Sequence, residues 1–450
     1  MTPPVCIIGA GPAGLAAARA LRQRGIAYEH LERHTGVGGI WDIDRADGPM
    51  YESAHFISSK TSSGFDGFPM PEAFPDYPGH RRILAYLRDF ANAYGLTDRI
   101  EFGVSVESVT REGNTWVVTR ADGKRTSHQH VIVCTGSQWH PSTPELPGDF
   151  AGEVRHACSY RSASEFAGKR VLIVGGGNSG CDIACDAAQT AAAATISMRR
   201  GYWFIPKHVL GRPSDVVGGS ASFLPKSVER VVLQPMLRLL MGDPRRLGLQ
   251  QPDHKLFESH PVINTMLFHA LQHGDITARP GIATTSGNSV TFTDGSSGEF
   301  DLVMFATGYQ KRIPIAQEYF GSEQHPELYL NCISRRYPGL FAIGFTETNS
   351  GAFQIFDRQA QLIASYLVEQ QRHPGKAAAF AKRILTDRPD LTGGIKFVAS
   401  PRHVGYVDSE RFVRVIERTA QTVGWELRAE PPVLTEVASV SCQPVARGAS

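Results

Sequence analysis

The hydrophobic positions at the start of the chain follow the order strand, turn, helix, strand. Residues 5–8 form a continuous apolar run with the length of a buried strand, and a glycine-rich stretch at 9–14 ends it. An Ala-rich run over 15–24 then predicts a helix, and residues 27–31 predict a second strand. This order is typical of a βαβ unit, in which a helix joins two parallel strands.

The same order recurs in the middle of the chain. Residues 170–174 are apolar, residues 175–180 are rich in glycine, and a helical run continues to 194. Further strands are predicted at 195–198, 102–109, 116–119, 131–134, 300–306 and 340–343, and a long helix at 354–370. We therefore predict an α/β fold with two Rossmann-like, three-layer dinucleotide-binding domains.

The second unit is expected to interrupt the first. The predicted boundaries assign 1–160 and 303–430 to a first dinucleotide-binding domain and 165–302 to a second one inserted into it. Residues 431–450 are polar and without hydrophobic period, which predicts a flexible tail. A Pro- and Phe-rich loop at 65–78 predicts an aromatic-lined pocket in the first domain.

Each glycine of the first turn has its own role in binding a dinucleotide. The spacing is G-x-G-x-x-G, in which Gly9 permits the tight turn, Gly11 lets the backbone approach a pyrophosphate, and Gly14 lets the helix pack on the strand. Glu32 follows at a spacing suited to an acid that binds a ribose hydroxyl. A glycine turn in an unrelated α/β fold is the alternative, but the strand, helix and acid together favour nucleotide binding.

The second turn repeats this spacing but lacks the acid. Arg199 and Arg200 stand at the end of the next predicted strand. An arginine there can pair with the 2′-phosphate of NADPH, which a carboxylate would repel. The alternative is that both arginines only solvate the end of the strand. The pattern predicts NADPH as the second dinucleotide.

Composition and charge restrict the remaining function classes. The 450 residues are 42% hydrophobic and carry a net charge of +2, which is typical of a globular protein without a general attraction for nucleic acid. No apolar run of about 18 residues is present, so we expect no integral membrane anchor. Seven cysteines without a C-x-x-C pair, and an N-terminus without a basic leader, predict a cytoplasmic protein. The histidine spacing predicts no metal site.

Three motifs outside the glycine turns are similar to those of one enzyme family. The linker over 150–160 matches F-x-G-x-x-x-H-x-x-x-[Y/F], with His156 and Tyr160 at its last two fixed positions. The Gly-Gly-Ile-Trp sequence at 38–41 and the Phe-Ala-Thr-Gly-Tyr sequence at 305–309 are further matches. The chain resembles the class B flavin-containing monooxygenases, a family of N- and S-oxygenases that includes plant auxin-forming monooxygenases.

The resemblance implies FAD on the first glycine turn and NADPH on the second. In this family, reduced flavin captures O₂ as a C4a-hydroperoxyflavin, which oxygenates a small-molecule substrate. Tyr160 stands where a Baeyer–Villiger signature has Trp, which favours a soft nitrogen or sulfur nucleophile. Decarboxylative oxygenation of a 2-oxo acid and N-hydroxylation of a primary amine stay open. A non-oxygenating flavin reductase and a non-catalytic flavin-binding scaffold are more distant alternatives. The expected partners are the substrate and O₂, and a homodimer is left open.

The residues of both nucleotide sites follow from these motifs and from the resemblance. For FAD they are Gly9, Gly11, Pro12, Ala13, Gly14, Glu32, Arg33, Gly39, Ile40, Trp41, Val106, Thr135, Gly136 and Gly344. For NADPH they are Gly175, Gly177, Asn178, Ser179, Gly180, Arg199, Arg200, Thr307 and Gly308.

The catalytic residues are unknown, and the candidates are Ile57, Ser59 and Lys60. Many family members have Asn three residues before the lysine that corresponds to Lys60, whereas this chain has Ile57. A neighbouring serine such as Ser59 could supply the polar contact, or Ile57 could form an apolar wall that excludes water. The stretch at 202–211 also resembles the plant branch.

Overall fold

The computed structural model describes residues 4–219, 226–322, 325–427 and 430–432, and two largely parallel sheets organise them. The first contains the predicted βαβ unit, because Val5–Ile8 pairs in parallel with Tyr28–Glu32 and, on its other side, with His130–Val133. Its spatial order is Leu328–Tyr329, Ile333–Ser334, Leu340–Ala342, His130–Val133, Val5–Ile8, Tyr28–Glu32 and Ile100–Phe102. The first three strands pair antiparallel, and the last five form a parallel array.

The second sheet is parallel throughout. Its order is Glu153–His156, Leu302–Phe305, Arg170–Val174, Ala193–Ser197 and Ile276–Arg279. Leu302–Phe305 is buried along its whole length, as are the three central residues of Arg170–Val174. Burial on both faces explains why these strands are continuous apolar runs rather than alternating ones.

The second sheet takes two of its strands from the limits of the predicted insertion or beyond them. Glu153–His156 precedes the predicted insertion, and Leu302–Phe305 crosses its predicted end, yet both pair in the second sheet. Parallel partners are distant in sequence, so local patterns do not indicate which strands pair. The second domain is inserted into the first, as predicted, and its sheet extends to both ends of the insertion.

The strand predicted over 102–109 is two strands. Gly103 adopts φ +72, a left-handed conformation that favours glycine, and turns the chain between them. Ile100–Phe102 therefore ends in the first sheet. Val106–Glu112 instead pairs antiparallel with Thr115–Arg120, and Arg125–His128 completes that separate sheet.

The remaining strands form small antiparallel or mixed sheets. A four-stranded sheet has the order Ser297–Glu299, Ser289–Phe292, Ile282–Gly287 and Gly148–Phe150. Two-stranded pairs join His140–Pro141 to Tyr309–Gln310, His208–Val209 to Arg212–Pro213, and Gly321–Ser322 to His325–Pro326.

Helices cover the sheets and complete a core in each domain. Those in the described residues are Pro12–Gln23, Lys60–Ser63, His80–Ala93, Asn178–Thr190, Ser214–Gly219, Lys226–Met241, Met266–His273, Gln317–Phe320, Phe353–Arg372, Pro374–Thr386 and Ser409–Gln421. Pro12–Gln23 and Phe353–Arg372 pack together in the first core, and Asn178–Thr190 lies in the second. Among the described residues, none of the helices is long and apolar enough to cross a bilayer. Residues 433–450, most of the predicted tail, lie outside the described residues.

Candidate cofactor-binding site

The first glycine turn connects the Val5–Ile8 strand to helix Pro12–Gln23, and lack of space requires glycine at Gly9 and Gly14. Gly9 has φ +104, and a Cβ on Gly14 would lie 1.8 Å from the carbonyl oxygen of Gly9. A Cβ on Gly11 would lie 3.4 Å from the Cα of Gly39. Gly11 is also the N-cap of the helix, whose first-turn amides have no acceptor within the helix. These amides can donate to a pyrophosphate at the end of the sheet.

The Glu32 carboxylate reaches back from the end of the second strand to this turn. Its Oε2 accepts from the backbone N–H of Ala10 at 2.6 Å, and its Oε1 accepts from that of His34 at 2.9 Å. The side chain is buried. Each carboxylate oxygen has a further lone pair, so this fixed group can also accept from a ribose hydroxyl.

Loops after two neighbouring parallel strands meet beside the first glycine turn. Gly136 follows His130–Val133 with φ +78, and Gly344 follows Leu340–Ala342 with φ +98. A Cβ on Gly344 would lie 3.1 Å from that of Ala13 and 3.9 Å from the Cα of Gly136. The structure thus brings predicted FAD residues from three loops together at the carboxyl edge of the sheet, where α/β folds bind ligands.

Trp139 lies in this site and was not predicted from the sequence. Its indole N–H donates to the carbonyl of Thr135 at 2.6 Å. The guanidinium groups of Arg33 and Arg45 lie 4.5 Å and 5.0 Å from its ring centroid. Arg45 also donates to the carbonyl of Gly39 at 2.9 Å. Trp139 also lines a cavity of about 430 Å³, together with Asp47 and Arg161.

Three other predicted FAD residues contribute packing. Val106 packs on a buried cluster that contains Ile8 and Leu31, at the ends of the first two strands. Ile40 and Trp41 lie in the short turn Gly39–Trp41 and pack on the core of the second domain. They therefore hold the neighbouring Gly39 in contact with Gly11 of the first turn.

The second glycine turn has the same geometry as the first. Gly175 has φ +129, and its Cβ would lie 2.4 Å from the carbonyl oxygen of Ala306. A Cβ on Gly180 would lie 2.1 Å from the carbonyl oxygen of Gly175. Gly177 is the N-cap of helix Asn178–Thr190. Asn178 accepts from the backbone N–H of Ile263 at 2.9 Å and ties the helix start to a neighbouring loop.

The two arginines after Ala193–Ser197 have different surroundings. Arg200 donates to Asp253 at 3.0 Å and lies 2.9 Å from Nδ1 of His254. Arg199 is exposed, with its stem packed over Gly281. Because Arg200 is already held in an ion pair, Arg199 is better placed to meet a 2′-phosphate.

The linker motif joins the second sheet to the predicted NADPH residues after Leu302–Phe305. Nε2 of His156 lies 3.1 Å from the carbonyl oxygen of Gly308, and the His156 ring packs edge-on against Tyr309. The hydroxyl of Thr307 donates to the carbonyl of Ser142 at 2.5 Å. These bonds assign His156 a positioning role at the domain junction.

A buried seam of acids and hydroxyls lies between the domains and was also not predicted. Asp186 accepts from Tyr160 at 2.7 Å and from Ser53 at 2.5 Å. Asp182, one helical turn earlier, accepts from Tyr51 at 3.4 Å. Burial raises the pKa of both carboxyl groups. Their spacing of four residues along helix Asn178–Thr190 places both on one face, which is the only signal that the sequence offers.

The segment 202–219 of the second domain packs on the loop that holds the catalytic candidates. The backbone N–H of Ser59 donates to Asp215 at 2.7 Å, and His208 lies 2.9 Å from Asp76. The ammonium group of Lys207 contacts the ring of His55. These contacts close the seam between the domains on this side.

The three catalytic candidates differ in what they contact. Lys60 donates to the carbonyls of Glu72 and Phe74 at 2.5 Å and 2.6 Å, and so holds the Phe- and Pro-rich loop. Ser59 is fully buried, and its hydroxyl bonds to a neighbouring serine at 3.4 Å. Ile57 is half-buried and offers no polar group. Their roles in catalysis stay predictions.

The aromatic-lined pocket predicted at 65–78 is filled by the aromatic rings themselves. Phe65 stacks on Phe353 at 4.9 Å between ring centroids and lies 4.1 Å from Phe90. All three side chains are buried in the first core. That prediction is wrong at this place, because aromatic composition does not distinguish a pocket wall from a packed core.

In the part of the chain that the structure describes, Cys6, Glu29 and His128 form one group of three potential metal ligands at the first sheet. Burial raises the pKa of the Cys6 thiol well above its usual value. Arg120 lies 2.8 Å from Glu29 and neutralises its charge. A neutral thiol and a paired carboxylate are poor cation ligands, so this group does not favour a metal ion. The expectation that the protein has no metal site stays a prediction.

Comparisons with known proteins find one family and one fold. A family model described as flavin-binding monooxygenase-like matches residues 3–388. The chain is 31% identical over 382 residues to the indole-3-pyruvate monooxygenase YUCCA6 of Arabidopsis thaliana, covering 78% of this chain and 88% of that protein. It is 31% identical over 339 residues to flavin-containing monooxygenase 5 of Oryctolagus cuniculus, covering 70% and 63%.

Solved structures of monooxygenases share the architecture. A flavin-containing monooxygenase from Stenotrophomonas maltophilia has a TM-score of 0.64 at 24% identity, covering 82% of this chain and 99% of that one. An open structure of cyclohexanone monooxygenase has a TM-score of 0.67 at 18% identity, covering 94% and 98%. These similarities confirm the predicted fold class.

Proposed function

Because this chain belongs to the flavin-binding monooxygenase-like family, we propose that it uses NADPH and O₂ to oxygenate a soft nitrogen or sulfur atom of a small molecule. Family membership confirms the predicted enzyme class, a flavoprotein monooxygenase, and agrees with FAD and NADPH as cofactors. The observation that carries the proposal is the pair of glycine turns, one in each domain, with the same close packing at Gly14 and Gly180.

We assign FAD to the first turn. Gly11 and Gly39 approach closely, since a Cβ on Gly39 would lie 3.0 Å from the Cα of Gly11, and the two backbone segments could hold a pyrophosphate between them. The fixed Glu32 carboxylate would accept from the ribose, and the wall of Arg33 and Trp139 offers a flat cationic surface for the adenine end. The residues present therefore fit this group.

We assign NADPH to the second turn, with Arg199 at the 2′-phosphate. Asn178, Ser179 and Gly180 begin the helix whose amides would face the pyrophosphate. Thr307 and Gly308 follow the strand that borders this turn. When bound, FAD and NADPH would supply the reducing equivalents for an oxygenation in which one atom of O₂ enters the substrate, the other leaves as water, and NADPH becomes NADP⁺.

The protein's own task is to exclude water from the space between the two turns. The seam through Asp182 and Asp186 ties both domains together, and Ile57 adds a half-buried apolar side chain on the loop that packs against the segment 202–219. A dry site limits loss of reducing equivalents as H₂O₂. We propose this role for Ile57 in place of the polar contact that an asparagine would give.

A second candidate is decarboxylative oxygenation of a 2-oxo acid. It is favoured by the similarity to proteins named indole-3-pyruvate monooxygenases, which extends over 78% of this chain for YUCCA6. Lys207, on the segment that resembles the plant branch, contacts His55 at the domain seam and would offer a cation to a carboxylate.

The two candidates are separated by product analysis. The FAD-loaded enzyme is incubated with NADPH and O₂ and a panel of sulfides, tertiary and primary amines, and 2-oxo acids. The proposal expects S- or N-oxides in proportion to NADPH consumed. Release of CO₂ from 2-oxo acids, without oxidation of sulfides or amines, would favour the second candidate. Oxidation of primary amines alone would instead identify N-hydroxylation, the alternative left open by the sequence.

We also propose a cytoplasmic location. All six cysteines in the described residues are free, as expected in a reducing compartment. Cell fractionation tests the location. A homodimer stays a prediction, which sedimentation of the holoenzyme tests.

A further inference from the structure

A side chain from outside the second domain approaches the second glycine turn. Arg402 belongs to the segment 398–408, between the helices Pro374–Thr386 and Ser409–Gln421. Its Nη1 lies 3.9 Å from the position that a Cβ on Gly177 would take. In this spacing, the second glycine marks the place where a dinucleotide pyrophosphate meets the backbone.

The segment 398–408 is bonded to both domains. On the first-domain side, the N–H of Val407 donates to the carbonyl of Glu347 at 3.0 Å. On the second-domain side, the N–H of Val398 donates to the carbonyl of Glu258 at 2.8 Å. The segment therefore bridges the domains beside the second turn.

The backbone at Arg402 is fixed by its neighbour His403. Nε2 of His403 accepts from the backbone N–H of His260 at 3.2 Å, so Nδ1 carries the proton and donates to Ser400 at 2.7 Å. Burial lowers the pKa of His403 to about 4, helped by the charge of Arg402, so the ring is neutral near pH 7.

A buried lysine holds the same backbone from the other side. The ammonium group of Lys311 donates to the carbonyls of Arg402 at 3.4 Å and Val404 at 3.1 Å. It also lies 3.8 Å from Glu347. Lys311 comes three residues after Gly308, in the chain that follows the strand Leu302–Phe305. Its bonds therefore connect the segment 398–408 to the chain beside the second turn.

The side chain of Arg402 is oriented by one hydrogen bond, which leaves its Nη1 group able to bind a ligand. Its Nε donates to Glu347 at 3.2 Å, and the side chain is 48% exposed. The Nη1 end, directed at Gly177, can bind an anion while the Nε bond persists.

We propose that Arg402 binds the pyrophosphate of NADPH, so that a residue beyond the inserted domain completes the second nucleotide site. The inference rests on the proposed assignment of NADPH to this turn. It divides the work between two arginines: Arg199 recognises the 2′-phosphate, and Arg402 recognises the diphosphate that NADPH and NADH share.

The test is calorimetric titration of the FAD-loaded protein with NADP⁺ and with NAD⁺. Arg402→Ala should weaken both nucleotides by the same factor, about 3- to 30-fold, since the pair is half-exposed. Arg199→Ala should weaken NADP⁺ alone. Arg402→Lys should recover part of the affinity, because it keeps the charge but loses the fork. Arg414→Ala, which removes an exposed arginine of the last helix, is the matched control.

Two results would overturn the inference. One is NADP⁺ affinity within twofold of wild type in Arg402→Ala, and the other is a loss confined to NADP⁺. If Arg402→Ala fails to retain FAD, Glu347→Gln decides: tighter binding of both nucleotides supports a direct phosphate contact, and weaker binding contradicts it. A wild-type protein that binds neither nucleotide would instead reject the proposed function.

Discussion

Replacing Gly14 or Gly180 by alanine should separate the two nucleotide sites, because these glycines hold equivalent places in different domains. The new Cβ would lie 1.8 Å from the carbonyl oxygen of Gly9 in one case and 2.1 Å from that of Gly175 in the other. An ordinary contact is 3.4–4 Å, so each helix must move from its strand by about 1.5 Å. Overpacking of this kind costs about 1–3 kcal/mol of folding free energy.

The same shift moves the helix amides away from the phosphates. A displacement of about 1.5 Å breaks N–H···O bonds whose usual length is about 2.9 Å, and each charge-assisted bond contributes about 1.5–3 kcal/mol. Gly14→Ala should therefore weaken FAD binding about 10- to 150-fold while NADP⁺ still binds. Gly180→Ala should weaken NADP⁺ binding by a similar factor in a protein that stays yellow.

Flavin absorbance per protein and calorimetric titration of both nucleotides measure these effects. Retained NADP⁺ binding in Gly14→Ala would show that this variant is folded. Retained FAD in Gly180→Ala would show the same for the other variant. Gly375→Ala is the control, because no atom lies within 4 Å of its new Cβ. Normal FAD content in Gly14→Ala, or loss of FAD in Gly180→Ala, would refute the reasoning.

The remaining predictions concern charge, pH and water exclusion. Arg199→Ala should lower the NADPH over NADH preference in kcat/KM about 3- to 30-fold and Arg200→Ala by less, because Arg200 is already paired; steady-state kinetics with both coenzymes checks this. Burial lowers the pKa of His30 from 6.5 to about 4, so between these pH values the unfolded chain is protonated at His30 while the folded chain is not. The free energy of unfolding should therefore fall as the pH drops from 6.5 to about 4. His30→Gln should flatten that dependence in thermal unfolding across pH. Ile57→Asn should raise H₂O₂ released per NADPH while Ser59→Ala changes it little, and the reverse result in a peroxide assay would favour the serine contact.

Local features of the fold could be predicted because they depend on neighbours in sequence. Both glycine turns, the acid at Glu32 and the strand–helix order need only a short stretch of chain. The break at Gly103 was missed because a single positive φ inside an alternating apolar and polar pattern leaves that pattern unchanged. Sheet membership of Leu302–Phe305 depends on pairing between distant segments, which periodicity does not encode.

The site shows the same division. Residues in motifs, such as Gly11 and Arg199, were predicted for the proposed nucleotide sites, whereas Trp139 and Arg402 lie near the two glycine turns only through tertiary structure. Lys60, a catalytic candidate from a family motif, donates to two loop carbonyls, and its role in catalysis stays a prediction. The spacing of residues within a motif predicts which of them line a turn. It does not predict residues that the fold brings to that turn from distant parts of the chain.

The most direct test of the central claim is the fate of isotopically labelled O₂. The FAD-loaded enzyme is given NADPH, labelled O₂ and a sulfide or tertiary amine, and the product is analysed by mass spectrometry. The account predicts one labelled oxygen atom in the product for each NADPH oxidised, with the second atom in water. NADPH oxidation that yields only labelled H₂O₂, with no labelled product from sulfides, amines or 2-oxo acids, would contradict it.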